Sequence, residues 1–527
     1  EYDRSLELFD RLISTAPRNL DARVDRARVL AWRGDTGAAL QELDNVLEEH
    51  PDHAGALEAR GLFQAWAGDY QEALSSYETL LSINPGNAGA RLQQARVLSW
   101  ASDFQGSQRV YEELLTEDPG NIDARLGLAR TLAFADDLEG ALAQYDLVLE
   151  RSPEHMGALQ GKARTLAWAD RLMEGEALIR EALAIDDQRG TSWIVLGQIL
   201  QWQGRDAAAL EALERAVELA PTDGDAHDQL RSVRLALSPA AGPTAVYEWD
   251  SDGNRMITTS ATASFHPVPR LQLRVDAYRR GLEQSGLERE SFGGGVTGVW
   301  VGEPGWRFTA GVGGIVTDVP GAPTEASFRA GVRSPDRNRV RVGVDVSSQT
   351  LDETAALAQT GVRFTSLTGS VRWKPAPVWR VDVAGGWGHF DGTEENSRIS
   401  GSVTASRRVG RVFFLGGSLR TFGYDKDLDD GYFDPSFYGI AEITGGWRHL
   451  PRPWTFLVEA APGIQQVTRD GDLTPTLRGS ARIGYLFAPR RELSLSYGYS
   501  SAGLLSFSTG SSDYRYSALI VALSWVF

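Results

Sequence analysis

YSALIVALSWVF, residues 516–527, ends the chain, and its period decides the fold. Side chains of a strand alternate between two faces. Leu519, Val521, Leu523, Trp525 and Phe527 share one face, and all are large and apolar. Ala518, Ile520, Ala522, Ser524 and Val526 share the other, which is smaller and mixed. A face of that kind, running to the last residue, needs an apolar medium.

The same two-residue period runs back to about residue 244. In "NRVRVGVDV", Val340, Val342, Val344 and Val346 oppose Arg339, Arg341, Gly343 and Asp345. In "RLQLRVDAYR", Leu271, Leu273, Val275 and Ala277 oppose Gln272, Arg274, Asp276 and Tyr278. Sixteen such segments can be counted in 244–527. Alternate connections are tight and rich in Pro or Arg ("HPVPR", "GEPG", "KPAP", "HLPRP"). Those between, such as "GLEQSGLE" and "DKDLDDGYFDP", read as longer and more polar. A soluble sandwich would also alternate. The apolar terminal face, the aromatics at strand ends and the asymmetric connections favour lipid as the medium. The expectation is a 16-stranded antiparallel transmembrane β-barrel over 244–527. No run approaches the roughly 18 apolar residues of a transmembrane helix.

Residues 1–238 follow a different rhythm. Pro17, Pro51, Pro85, Pro119, Pro153 and Pro221 keep a 34-residue step, with Asp187 at the one missing place. Trp32, Trp66, Trp100, Phe134, Trp168 and Trp202 keep it too, as do Tyr77, Tyr111 and Tyr145. A period of 34 with two helical stretches per unit is the tetratricopeptide signature, an α-solenoid of helix pairs. The six residues from Trp32 to Trp202 are read as repeat core, because buried aromatics dominate such packing; the other reading is rings that stack on a ligand. Asp69 and Glu72 have capping-box spacing. Residues 3–16 read as the second helix of a repeat, which implies further repeats and a signal peptide upstream. Residues 239–243 read as a linker.

Charge divides at the same place. Residues 1–240 carry 23 basic and 41 acidic side chains, a net of −18, and the remainder 30 and 29, a net of +1. The solenoid therefore exposes an acidic surface suited to docking proteins, with no basic stripe for nucleic acid. Cysteine is absent, which excludes disulfides, thiol catalysis and Cys-type zinc sites.

The layout resembles bacterial outer-membrane export porins for secreted polysaccharides, of the cellulose-export and poly-N-acetylglucosamine-export type. The repeat wording "ARVLAWRGD", "ARVLSWASD" and "ARTLAWADR" looks like theirs, and "DGYFDPSFY" (Asp430 to Tyr438) is similar to a stretch of the cellulose exporter's barrel. The apolar row Leu519, Val521, Leu523, Trp525 and Phe527 resembles the signal read by the barrel assembly machinery. The resemblance implies an outer-membrane barrel that conducts the polymer and a periplasmic solenoid that meets proteins or peptidoglycan.

The strand faces give a candidate lumen: Arg274, Asp276, Arg280, Arg307, Arg329, Arg333, Arg341, Asp345, Arg372, Arg380, Asp382, Arg398, Arg420, Glu442, Arg448, Glu459, Arg478 and Arg482. Thirteen arginines stand against five carboxylates. They either cross-link a wide interior or, as an unpaired surplus, suit an anionic polymer. Tyr278 and Tyr514 could contact sugars. Neither a nucleophile elbow, a P-loop nor a dinucleotide fingerprint occurs, and the seven histidines show no metal spacing. No enzyme and no cofactor is expected. Glu394-Glu395 reads as a solvated charge run. The functional expectation is export of a polysaccharide. Its rivals are a barrel that only anchors an envelope machine, which a plugged lumen would favour, and a general or phage-receptor porin.

Overall fold

The computed structural model describes residues 2–337, 339–410, 412–428, 432–502 and 514–527. Fourteen helices among the described residues, from Tyr2–Thr15 to Gly224–Leu237, form a tetratricopeptide-like solenoid. A closed barrel of sixteen antiparallel strands follows. The chain divides into two compact units: residues 1–168 with 177–186, and residues 169–176 with 187–527.

In unit one three successive helix pairs share a core of small and aliphatic side chains around one tyrosine, and Leu43 and Ile179 hold the same place in the pairs on either side. Tyr77, Tyr111 and Tyr145 are 1–3 % exposed. The room for these rings comes from glycine on a facing helix: a Cβ at Gly127 would stand 2.3 Å from the Tyr111 ring. Asn19, Asn87 and Asn121 cap first helices by accepting from the backbone N–H three residues on. His53 does the same through Nδ1 (3.1 Å), which makes it a cap.

Two expectations fail here. Asp69 makes no side-chain cap bond. Asp103 and Asp137, at the same place in later repeats, do bond the N–H of Gly106 and Gly140. A Cβ at Gly106 would lie 2.4 Å from the Asp103 carboxylate. The second failure is larger. Trp32, Trp66, Trp100, Phe134 and Trp202 are 40–55 % exposed, and Trp168 is half-buried. They are not repeat core. The tyrosines fill the interhelix space, and the last or next-to-last residue of each first helix is left largely outside it. Tyr111→Ala should therefore cost about 3–5 kcal/mol, and Trp100→Ala no more than about 0.5 kcal/mol. Melting of the helical circular dichroism of the two variants checks this.

The barrel strands are β1 (Ala240–Asp250), β2 (Asn254–Val268), β3 (Leu271–Gln284), β4 (Leu287–Gly302), β5 (Trp306–Thr317), β6 (Glu325–Arg333), β7 (Val340–Thr350) and β8 (Arg363–Trp373). They continue as β9 (Trp379–Asp391), β10 (Glu395–Val409), β11 (Phe413–Tyr424), β12 (Tyr438–His449), β13 (Trp454–Gln466), β14 (Thr474–Ala488), β15 (Arg491–Ser500) and β16 (Tyr516–Val526). Each pairs with its sequence neighbours, and β16 closes the ring on β1 with Leu519 opposite Tyr247. Closure removes both sheet edges. β1 begins at Ala240, so most of 239–243 is strand. "GLEQSGLE" is also mostly strand: Gln284 pairs Leu287 across a two-residue Ser285-Gly286 turn.

The outward row is apolar from strand to strand, with Val312, Ile399 and Ile443 66–70 % exposed. Trp300, Trp306, Trp373, Trp379 and Trp454 stand at strand ends beside the tight turns. Leu519, Val521 and Phe527 are exposed in this row, and Trp525 lies half-buried under Arg491 (4.3 Å). Water would penalise such a belt heavily; an apolar phase around the barrel removes the penalty.

Candidate functional site: the barrel lumen

The strand positions opposite the apolar belt are polar, and they carry the candidate lumen residues. Arg274, Asp276 and Arg280 stand on β3, and Arg307 on β5. Arg329 and Arg333 stand on β6, Arg341 and Asp345 on β7, and Arg372 on β8. Arg380 and Asp382 stand on β9, Arg398 on β10, Arg420 on β11, Glu442 and Arg448 on β12, Glu459 on β13, and Arg478 and Arg482 on β14.

Most of the charge is paired. Arg372 and Arg380 share Asp382, and Arg333 meets Asp345 (3.3 Å). Arg420 and Arg478 share Glu442, whose side chain has no exposure; Arg478 also reaches Glu459 (3.5 Å). Arg341 meets Asp336 (3.5 Å), Arg482 meets Glu492 (3.3 Å) and Arg280 meets Asp352. Eight of the thirteen arginines thus hold a carboxylate. Asp336 and Asp352 come from connections and Glu492 from β15, so a count over the first-read strand faces missed them. These three carboxylates cut the arginine surplus from eight to five.

Two connections turn into the lumen. Residues 351–362, between β7 and β8, form a strap with a short helix, Ala355–Thr360, capped by Thr354. One side of the strap is fixed to the β2–β4 wall. Asp352 accepts from Tyr278 Oη (3.1 Å), Ser291 Oγ (2.6 Å) and Arg280. Ala355 and Ala358 pack with Met256 and Leu282. The other side meets the β8–β11 wall, where Leu351, Leu357 and Val362 cluster with Phe390, Tyr424 and Tyr432. Those walls stand about seven strands apart in the ring of sixteen, so the strap crosses the lumen.

The second inward connection is 425–437, of which Asp429, Asp430 and Gly431 lie outside the described residues. Asn396 donates to Asp434 Oδ2 (3.1 Å) and the Lys426 carbonyl (2.9 Å). Arg398 sits 5.0–5.8 Å from the rings of Phe364, Phe390, Phe422 and Tyr424, a cation–π box. Tyr438, fully buried, donates to Gln465 (2.8 Å). No local sequence pattern marks these loops as folding inward. Tyr278 reaches the strap, and Tyr514 donates to Asp250 (3.3 Å).

Behind the strap a cavity of about 480 Å³ is lined by Asp276, Tyr278, Thr297, Thr309, Arg329, Asp345, Asp352 and Glu353. Glu353 Oε2 has no partner there. Burial, reinforced by neighbouring Asp352, pushes this carboxyl up to about 7, and Arg280 opposes the shift. A further cavity of about 700 Å³, between β9 and β14, is lined by Arg380, Arg408, Arg420, Arg448, Arg478 and Glu459. Within unit two, buried Arg205 bonds Glu176 (2.6 Å) and Glu303 of the β4–β5 turn. Among the described residues no cluster of His, Asp and Glu could hold a metal.

The tetratricopeptide-repeat family models match residues 1–61, 101–165 and 190–223. Among curated protein sequences none matches. Solved structures similar to the chain include a bacterial polysaccharide outer membrane secretin, 12 % identical over 55 % of this chain and 99 % of that one, TM-score 0.45. A tetratricopeptide repeat protein from Parabacteroides merdae is 16 % identical over 44 % and 91 %, TM-score 0.40. The type IV pilus biogenesis factor PilW is 18 % identical over 41 % and 99 %, TM-score 0.34.

Proposed function

We propose that the chain is a bacterial outer-membrane export channel for a secreted polysaccharide, with its repeats in the periplasm docking partners. The observation that carries this reading is a closed barrel whose outer row is apolar and whose inner rows are densely hydrogen-bonding. Guanidinium and carboxylate groups together offer sugar hydroxyls many donors and acceptors, and their pairing tempers the net positive field. Conduction needs that balance, because a polymer must bind well enough to enter and weakly enough to leave. In this reading the strap is the gate. Periplasmic proteins or peptidoglycan on the repeats, lipid around the belt and the assembly machinery acting on the terminal strand complete the reading.

The strap also supports a second reading, in which the barrel only anchors an envelope machine. The strap is one connection of the chain, held by the bonds of Asp352 and by an apolar cluster on each wall, so a gate opens if that one connection moves. Deleting the gene in its own organism separates the two. Export predicts polymer trapped in the periplasm and absent from the surface, restored by the wild-type chain. Normal surface polymer with a lost multiprotein assembly would overturn it.

A further inference from the structure

Unit one leaves a ring uncovered at one position of five successive repeats: Trp32, Trp66, Trp100, Phe134 and Trp168. The first four are 40–55 % exposed, and the Phe134 and Trp168 ring centroids stand 5.9 Å apart. Large aromatics gain much from burial, so a row of them left open at a constant step is a surface feature to explain. Arg28, Arg96, Arg130 and Arg164 each lie four residues before a ring, one turn away on the same helix face. The strip therefore repeats a flat ring beside a planar donor.

We propose that this ladder is a binding strip for a linear, uncharged, hydroxyl-rich polysaccharide. First helices of successive repeats touch, so their axes step by on the order of 10 Å, about the length of a disaccharide, and the rings lean closer where Phe134 meets Trp168. A periodic strip suits a periodic ligand; a peptide carries no matching repeat of side chains. The ring faces stack on the C–H faces of pyranoses, and the guanidinium N–H groups donate to hydroxyls. Charge narrows the ligand further. Arg28 is already paired with Asp25 (2.8 Å), and the net −18 of residues 1–240 repels a polyanion and an anionic lipid surface. The strip deepens the export reading and rests on it for why a polysaccharide should be present.

Calorimetric titration of the purified full chain in detergent tests it, with cellohexaose and maltohexaose as neutral probes and hexagalacturonate as the acidic one. The expected result is binding of a neutral hexasaccharide, weakened about tenfold in Trp66→Ala/Trp100→Ala, with helical melting unchanged. Trp66→Phe/Trp100→Phe should keep most of the affinity. Saturation transfer from aromatic protons of the wild type to the sugar gives a readout that needs no variant. The proposal is overturned by a wild type that binds neither neutral probe, by an alanine pair that binds as well as wild type, or by tighter binding of hexagalacturonate. It is also overturned if the alanine pair abolishes only self-association in light scattering, which would make a second copy the occupant. Any of these leaves the polymer-delivery result in cells untouched, so the two readings fail separately.

Discussion

Replacing residues 352–360 with a short Gly-Ser linker is expected to raise the single-channel conductance of the full chain in planar bilayers several-fold. The wild type should conduct poorly. The strap joins the β2–β4 wall to the β8–β11 wall, so its removal opens the cross-section it occupies. Its attachment is also pH-sensitive. Glu353 is held up to about 7 by burial and by Asp352, against Arg280. An acid with a raised folded pKa binds its proton more tightly in the docked state. The docking it supports is complete at low pH and is lost as pH rises through about 7. Wild-type conductance should therefore climb between about pH 5 and pH 7 and level off above, and Glu353→Gln should flatten the climb. If the strap-less chain stays as silent as the wild type, the lumen is closed elsewhere and the anchor reading gains.

The barrel was legible because alternation is local: a strand's two faces can be read from any few residues. The strap was not. Asp352 meets Tyr278, Arg280 and Ser291 at separations of 61–74 residues, and no local pattern in "LDETAALAQT" tells a loop to turn inward. The same blindness enlarged the arginine surplus, since three balancing carboxylates lay off the faces first assigned. In the solenoid, period alone could not separate the two aromatic series, because Tyr77 and Trp66 recur at the same 34-residue step. Helix phase separates them. An arginine one turn before Trp32, Trp100, Phe134 and Trp168 marks a solvent-facing wedge, and that signal was present in the sequence. The glycine that admits each tyrosine was present too, but its partner lay on another helix.

Glu442→Ala should destabilise the barrel by about 3–5 kcal/mol. The Glu442 carboxylate is fully buried and accepts from Arg420 (2.7 Å), from Arg478 Nε (3.1 Å) and Nη2 (3.2 Å), and from Ser418 Oγ (3.2 Å). Removing it leaves two guanidinium groups facing each other across β11 to β14 with their common counter-charge gone. That penalty comes from breaking the cluster, not from its net worth. Exchanging Glu442, Arg420 and Arg478 together for apolar residues of similar volume should cost far less. Glu442→Gln, which keeps an acceptor but not the charge, should fall between. Urea unfolding of the lipid-folded barrel, followed by tryptophan fluorescence, ranks the variants. The same substitution bears on cargo. Wild-type pairing keeps this part of the lumen electrically quiet, so ion selectivity should be weak. In Glu442→Ala the freed positive charge should shift the reversal potential across a salt gradient toward anion preference. Strong anion selectivity already in the wild type would mean that Arg274, Arg329 and Arg448, for which no carboxylate contact is resolved, dominate the field, and an acidic polymer would return as the better cargo.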